Sequence, residues 1–176
     1  MSRGSSRRWP PRVSLLTSEA AGDSLRAATA EDIEALARLR VDFWDDQVRK
    51  GLLDLRPFDL DSLRAETRGL IGRQRTHLIV VDRGGEIAAY AYGQIKIVPG
   101  AAQSRVAVIE ELYVPRSKSN VSVALVLMRA MVERLIEAGV ERIQCRVLNA
   151  NEEAKAFHEL CGFEPNLTIY EYAFQP

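Results

Sequence analysis

Apolar residues recur with two different periods along the chain, and the change of period predicts which segments are helices and which are strands. From Ile33 to about Val48 they return every three or four residues, which predicts one amphipathic helix with Thr29 as its N-cap. A second helix with the same spacing begins at Asp59. A short strand precedes the first helix at residues 25–28. Three longer strands follow the second helix, at residues 77–82, 87–97 and 105–114.

The second half of the chain alternates helices with strands. A helix that is apolar almost all round is capped by Ser119 or Asn120 and is ended by Gly139. A strand at residues 142–147, a helix at 151–160 and a last strand at 167–174 complete the order β-α-α-β-β-β-α-β-α-β. The central strands form an antiparallel meander, and the later β-α-β stretch needs a right-handed parallel crossover. We therefore expect an α/β fold with a mixed sheet and helices on both faces.

The length and the charge limit the classes of protein that this chain can be. Residues 25–176 have the length of one ordinary domain of ~100–200 residues, and residues 1–24 predict a flexible basic N-terminal tail. The chain has 24 basic and 24 acidic residues, so no overall field attracts it to nucleic acid or to a membrane.

The two cysteines and the apolar runs bear on metals and on location. Cys145 and Cys161 have neither C-x-x-C spacing nor a nearby histidine cluster, so we expect no metal site. No apolar run is long enough for a signal peptide or a membrane span. Free thiols suit a reducing compartment, and a cytoplasmic location is therefore expected.

Two adjacent glutamates interrupt the third long strand, in the run VIEELYV at residues 108–114. In a regular strand Glu110 shares one face with residues 108, 112 and 114, and Glu111 shares the other with residues 109 and 113. A carboxylate covered by the following apolar helix is costly unless it is hydrogen-bonded or its pKa rises, and a raised pKa suits a general base. A rim position or an ion pair with arginine is the structural alternative.

The loop after this strand carries two cations, Arg116 and Lys118, and leads into the N-terminus of a helix. Exposed amides and the helix dipole at such a junction form an anion site that suits a pyrophosphate. The alternative is a plain cap, in which Ser119 or Asn120 satisfies the first turn.

A third segment, residues 147–163, contains a helix capped by Asn151 and closed at Gly162. Phe163 can fold back onto this helix. His158 lies two turns after Asn151, where a single histidine is either structural or a proton donor. Cys161 is interpreted as a small apolar filler.

Together the three segments resemble the GNAT acyltransferase superfamily, whose element order matches residues 25–176. The family pattern N-x-x-A-x-x-F-[Y/H]-x-x-x-G-F is matched by Asn151, Ala154, Phe157, His158, Gly162 and Phe163. The strand VIEELYV resembles the family's E-x-L-Y-V strand. The resemblance implies that Glu110 is the general base and that His158 stands where a tyrosine commonly protonates the departing thiolate.

The loop departs from the family pattern Q/R-x-x-G-x-G/A. The matching residues, 117–122, read SKSNVS, so both glycines are missing and the arginine comes one position early. The resemblance still implies a coenzyme site, whose residues are Leu112, Tyr113, Val114, Ser117, Lys118, Ser119, Asn120, Val121, Ser122, Val123 and Asn151.

The implied function is an N-acyltransferase that moves an acetyl or other acyl group directly from acyl-CoA to a primary amine, without a metal. The acceptor, a small molecule or a peptide, would contact Phe43, Trp44, Asp45 and Glu111, with further carboxylates at Asp42 and Asp46. The alternative for this stretch is a solvated acidic face over core aromatics.

Two other functions stay open. The same fold could take its acyl group from aminoacyl-tRNA or from a carrier-protein thioester, although zero net charge argues against a large RNA footprint. The second open function is that of a non-catalytic descendant of this fold that only binds a ligand. A homodimer also stays open.

Overall fold

The computed structural model describes residues 23–52, 59–116 and 121–168. The predicted tail, apart from residues 23 and 24, lies outside this part of the chain, and so does the expected cap at Ser119 or Asn120. The predicted last strand also lies outside it, except for residues 167 and 168, which belong to no strand.

The element order agrees with the prediction over the described residues. The elements are β1 (Asp23–Ala27), a 3₁₀ turn (Ala30–Asp32), α1 (Ile33–Arg49), α2 (Leu60–Leu70), β2 (Thr76–Arg83), β3 (Glu86–Ile97), β4 (Arg105–Tyr113), α3 (Val121–Glu137), β5 (Arg142–Cys145) and α4 (Glu152–Leu160).

The five strands form one sheet in the order β1-β2-β3-β4-β5. The first three pairings are antiparallel, and β4 pairs with β5 in parallel. Because α3 connects β4 to β5, this is the parallel crossover that the sequence pattern predicts. The expected mixed sheet is confirmed.

Helices cover both faces of the sheet, as predicted. On one face Leu127, Met131 and Leu135 of α3 pack on Ile79 and Ile109. On the other face, Leu36 of α1 and Leu70 of α2 pack against Leu78, Val80 and Tyr90. We call these the α3 face and the α1–α2 face.

Local capping explains where the helices begin. The Asp32 carboxylate accepts a hydrogen bond from the Thr29 amide at 2.7 Å, and Asp59 accepts from the amides of residues 61 and 62. Asn151 accepts from the Ala154 amide at 3.1 Å and so begins α4. The predicted start of the second helix at Asp59 and the predicted cap at Asn151 are confirmed. Thr29, predicted as the cap of the first helix, caps the 3₁₀ turn instead, and Asp32 precedes α1.

Candidate active site

A β-bulge in β4 sets the direction of its two glutamates. Tyr92 of β3 pairs with Glu111, and the next β3 residue pairs with Ile109, so Glu110 is the extra residue on β4. Ile109 and Leu112 therefore both pack against the α3 face. The expected alternation, which put Ile109 and Leu112 on opposite faces, is wrong because a bulge adds one residue and resets it.

The buried carboxylate of this strand is Glu111. Its residue is 5 % exposed, and both of its oxygens accept hydrogen bonds from Arg40, Oε2 from Nε at 3.0 Å and Oε1 from Nη2 at 2.8 Å. The Tyr90 hydroxyl donates to Oε2 at 2.8 Å. Burial raises the pKa of Tyr90 well above its ordinary value, and the negative charge of Glu111 adds to this. Glu111 is therefore the partner of an arginine, which is the structural alternative named for such a carboxylate.

Glu110 lies on the same α1–α2 face but is better exposed. Its side chain is 23 % exposed, and its Oε1 lies 3.4 Å from Lys96 Nζ. Burial raises the pKa of Tyr92 to about 12, and the charges of Glu110 and Glu111 add to the effect. Both carboxylates therefore face the Tyr92 side of the sheet, where Glu110 keeps access to a ligand.

The edge of β4 opens directly beside this bulge. The parallel pairing with β5 runs from Val106↔Arg142 to Ile109↔Cys145 and, among the described residues, goes no further. Residues 112–114 follow with no β5 partner in that part of the chain. Their backbone can pair with an extended ligand, as the family resemblance implies for Leu112, Tyr113 and Val114.

Only part of the predicted pyrophosphate site is described. Ser117, Lys118, Ser119 and Asn120 lie outside the described residues. Val121 and Ser122 are exposed in the first turn of α3, whereas Val123 is half-buried against the α3 face. The ion pair of Arg116 joins the preceding loop to α1, since its Nε lies 3.7 Å from the Asp46 carboxylate.

The helix α4 holds His158 by its own backbone. His158 Nδ1 lies 2.6 Å from the Ala154 carbonyl oxygen, which only accepts, so Nδ1 carries the proton and donates it. Its ring has edge contacts with Phe157 and with Phe163, whose centroid is 5.7 Å away. Phe163 thus folds back onto the helix as predicted, and the Nε2 atom of His158 is left for other contacts.

Cys161 closes the same helix, and Asn151 begins it. Cys161 is 2 % exposed within the core of the α3 face, which confirms its interpretation as an apolar filler. The Asn151 side-chain oxygen accepts the bond of the helix cap, and its amide nitrogen is available to the predicted coenzyme contact.

The acceptor residues predicted on α1 divide into three groups. Phe43 has edge contacts with Trp44 at 4.8 Å and with Tyr113 at 5.7 Å, so the aromatics do lie beside the end of β4. Asp42 and Asp45 are exposed. Asp46 is neither a solvated nor a free carboxylate, because it is buried and pairs with Lys50 Nζ at 3.1 Å.

Sequence reasoning missed three residues that shape this site: Arg40, Tyr90 and Lys96. Arg40 did carry a signal, since it recurs at the apolar spacing of α1, four residues after Leu36. An arginine at a core position needs a buried acid, and the strand supplied Glu111. Tyr90 and Lys96 lie on a neighbouring strand, and no local pattern reveals cross-strand partners.

The described residues also bear on a metal site and on a membrane span. No group of three or more His, Cys, Asp or Glu side chains there has the arrangement of a metal site. None of the helices in that part of the chain is both long and apolar enough to span a membrane.

The comparison with protein families decides where this arrangement belongs. Residues 34–163 match the model of the acetyltransferase (GNAT) family, which is well over half of the chain. The chain belongs to the GNAT acetyltransferase family. The GNAT match includes the bulged strand, α3 and α4, and it confirms the resemblance carried by the sequence motifs.

Solved structures share the GNAT fold at low sequence identity. Aminoglycoside N-acetyltransferase AAC(6')-Iy, solved in complex with CoA, has a TM-score of 0.73 and 18% identity, over 89% of this chain and 97% of its own. AAC(6')-Ih from Acinetobacter baumannii has a TM-score of 0.69 and 16% identity, over 88% of this chain and 99% of its own. A transcriptional regulator from Bacillus halodurans C-125 has a TM-score of 0.70 and 22% identity, over 86% of this chain and 99% of its own. A comparison with curated proteins finds no significant match.

Proposed function

We propose that this GNAT protein transfers an acetyl group from acetyl-CoA to a primary amine. One observation carries the proposal: the β4 edge loses its β5 partner at the point where the bulge presents the Glu110 carboxylate. A free strand edge binds an extended amide-containing chain by backbone hydrogen bonds. The pantetheine arm of coenzyme A is such a chain, and its thioester would then end beside a base.

The donor's phosphates are assigned to the N-terminus of α3. Val121 and Ser122 are exposed there, and helix amides with the helix dipole favour a pyrophosphate. The resemblance adds residues 117–120, with Lys118 as the cation. Asn and Ser at the positions of the family's glycines still offer amides, so the site keeps its chemistry with a larger side chain at each position.

In the proposed reaction Glu110 removes a proton from the acceptor ammonium, directly or through a water. The amine nitrogen attacks the thioester carbonyl carbon and a C–N bond forms, the nitrogen releases its second proton to water, and the C–S bond breaks. Amides of the free β4 edge, at residues 112–114, stabilise the negative charge on the carbonyl oxygen. The coenzyme thiolate leaves.

His158 is proposed to return a proton to that thiolate. Its Nδ1–H is held by the Ala154 carbonyl, so Nε2 is the ring atom that passes the proton to sulfur. Glu110 and His158 thus divide the roles of base and acid.

The test compares thiol release from acetyl-CoA in the presence of an amine panel. Glu110→Gln is expected to slow amine-dependent release by ~10²-fold or more, because the base is lost while the shape is kept. Glu137→Gln, an exposed glutamate at the end of α3, is the matched control and should keep wild-type activity. Full activity of Glu110→Gln would remove Glu110 from the mechanism. Activity that ribonuclease destroys would instead favour a tRNA donor.

A further inference from the structure

A polar cavity outside the proposed donor site lies where α2 leads into β2 and where β3 ends. Its volume is 230 Å³, and it is lined by Arg73, Gln74, Arg75, Thr76, Gln94 and Ile95. Ligand pockets for whole drug-sized molecules usually have ~300–1,000 Å³, so a cavity of this size suits one functional group of a larger ligand.

The backbone of the cavity wall is held in a definite shape. Arg75 has a φ of 64°, in the left-handed region that residues other than glycine seldom adopt. Its carbonyl oxygen accepts a hydrogen bond from the Ile95 amide at 2.8 Å, and the Arg73 carbonyl accepts from the Thr76 amide at 3.2 Å. These bonds attach the turn that carries both arginines to the end of β3. The backbone from which the two guanidinium side chains extend is therefore held in place.

The charge of the cavity is positive and uncompensated within the described residues. Arg73 and Arg75 are exposed, and in that part of the chain neither guanidinium forms an ion pair with a carboxylate. The remaining lining side chains, Gln74, Thr76 and Gln94, add hydrogen-bond donors. Paired guanidinium groups with neutral donors are the chemistry that binds a carboxylate or a phosphate.

Gln94 connects this cavity to the proposed reaction centre. It lines the cavity, and its side-chain amide donates to the Tyr92 hydroxyl, whose neighbours include Glu110. Gln94 pairs with Val108, two residues before Glu110 on β4, which is about 7 Å along a strand. Lys96, two residues further along β3, contacts Glu110 itself. The cavity and the carboxylate therefore share the α1–α2 face, and Gln94 and Tyr92 link them.

We propose that this cavity binds the anionic group, a carboxylate or a phosphate, of the acceptor whose amine is acetylated at Glu110. The inference rests on the proposed function and narrows its acceptor class to small amines that carry an acid. A polycationic acceptor such as an aminoglycoside would meet two like charges here, so it would be a poor substrate.

The first experiment measures steady-state acetylation with matched pairs of acceptors at constant ionic strength. Amines bearing a carboxylate (β-alanine, 4-aminobutyrate, 5-aminopentanoate) are compared with their amides, and O-phosphoethanolamine is compared with ethanolamine. The acid of each pair is expected to have at least a tenfold lower KM. The double variant Arg73→Gln/Arg75→Gln should abolish that preference by raising the KM of each acid to about that of its neutral partner. Arg68→Gln, an exposed arginine outside the lining, is the control and should keep the preference.

The second experiment needs no turnover and separates this inference from the proposed function. β-Alanine and O-phosphoethanolamine are titrated into the protein by NMR, and at least one should bind ten times more tightly to the wild type than to Arg73→Gln/Arg75→Gln. The tighter of the two identifies the anion. Equal binding to both proteins would overturn the cavity's role, as would acetylation with no preference for acids. A protein that binds these acids through the arginines but never releases thiol would instead overturn the proposed function alone.

Discussion

The ion pair between Arg40 and Glu111 makes the sharpest prediction about stability. The two side chains are 3% and 5% exposed, and two hydrogen bonds join them at 3.0 and 2.8 Å. Arg40→Met removes the cation and leaves the Glu111 carboxylate with one donor, the Tyr90 hydroxyl. Removing one partner of a buried pair costs ~3–5 kcal/mol, because the remaining charge is desolvated without compensation.

The magnitude can be checked by urea and thermal unfolding followed by circular dichroism. For a chain of this size each kcal/mol lowers Tm by roughly 2–4 °C, so we expect a fall of about 6–20 °C. Adding Glu111→Leu to Arg40→Met should recover part of the loss. That double variant stays about 1–3 kcal/mol below the wild type, because the Tyr90 hydroxyl then lacks its acceptor. Adding Tyr90→Phe should recover most of the remainder.

Two results would refute this reasoning. A loss under about 1 kcal/mol for Arg40→Met would mean that the carboxylate finds water or protonates at little cost. A double variant as unstable as the single one would mean that the loss comes from packing and not from the unpaired charge.

The remaining predictions concern thiols, acid stability and the donor loop. Burial raises the pKa of Cys145 to about 12 and that of Cys161 to about 11, so little of either thiol is ionised at pH 8. An aromatic disulfide that reports free thiols should therefore react slowly with the folded protein at pH 8 and at once in denaturant. Burial lowers the pKa of His77, and the charge of Arg134 adds to this, so the unfolded chain binds more protons below about pH 6.5. Stability should therefore fall as the pH drops from 7 to 5, and His77→Gln should show a shallower fall in urea midpoints. Lys118→Ala should weaken acetyl-CoA binding by ~1–2 kcal/mol in calorimetric titration, whereas Asn120→Gly/Ser122→Gly should tighten it or leave it unchanged.

The elements were predictable from sequence because they follow from local signals. The helix start at Asp59, the cap at Asn151 and the period change after α2 involve neighbours in the chain, and the structure agrees with them. The bulge at Glu110 was not predictable from period-two alternation, which has no place for an extra residue. The family motif named Glu110, but only the register shows that it shares a face with Glu111.

The partners of the site residues needed the tertiary structure. The pairing of Arg40 with Glu111 joins positions 71 residues apart. The only sign of it in the sequence is that an arginine stands on the apolar face of a predicted helix. Asp46 was expected as part of an acidic face, yet Lys50 and Arg116 pair with it. The arginine-lined cavity depends on where a turn and a strand end meet, which periodicity does not determine.

Calorimetric titration with acetyl-CoA tests the central claim most directly, because the proposed transfer requires this donor. The free edge of β4 and the exposed start of α3 predict saturable binding to a single site well below millimolar acetyl-CoA. A wild-type protein that shows no binding at millimolar acetyl-CoA would contradict the account and leave the other acyl donors ahead.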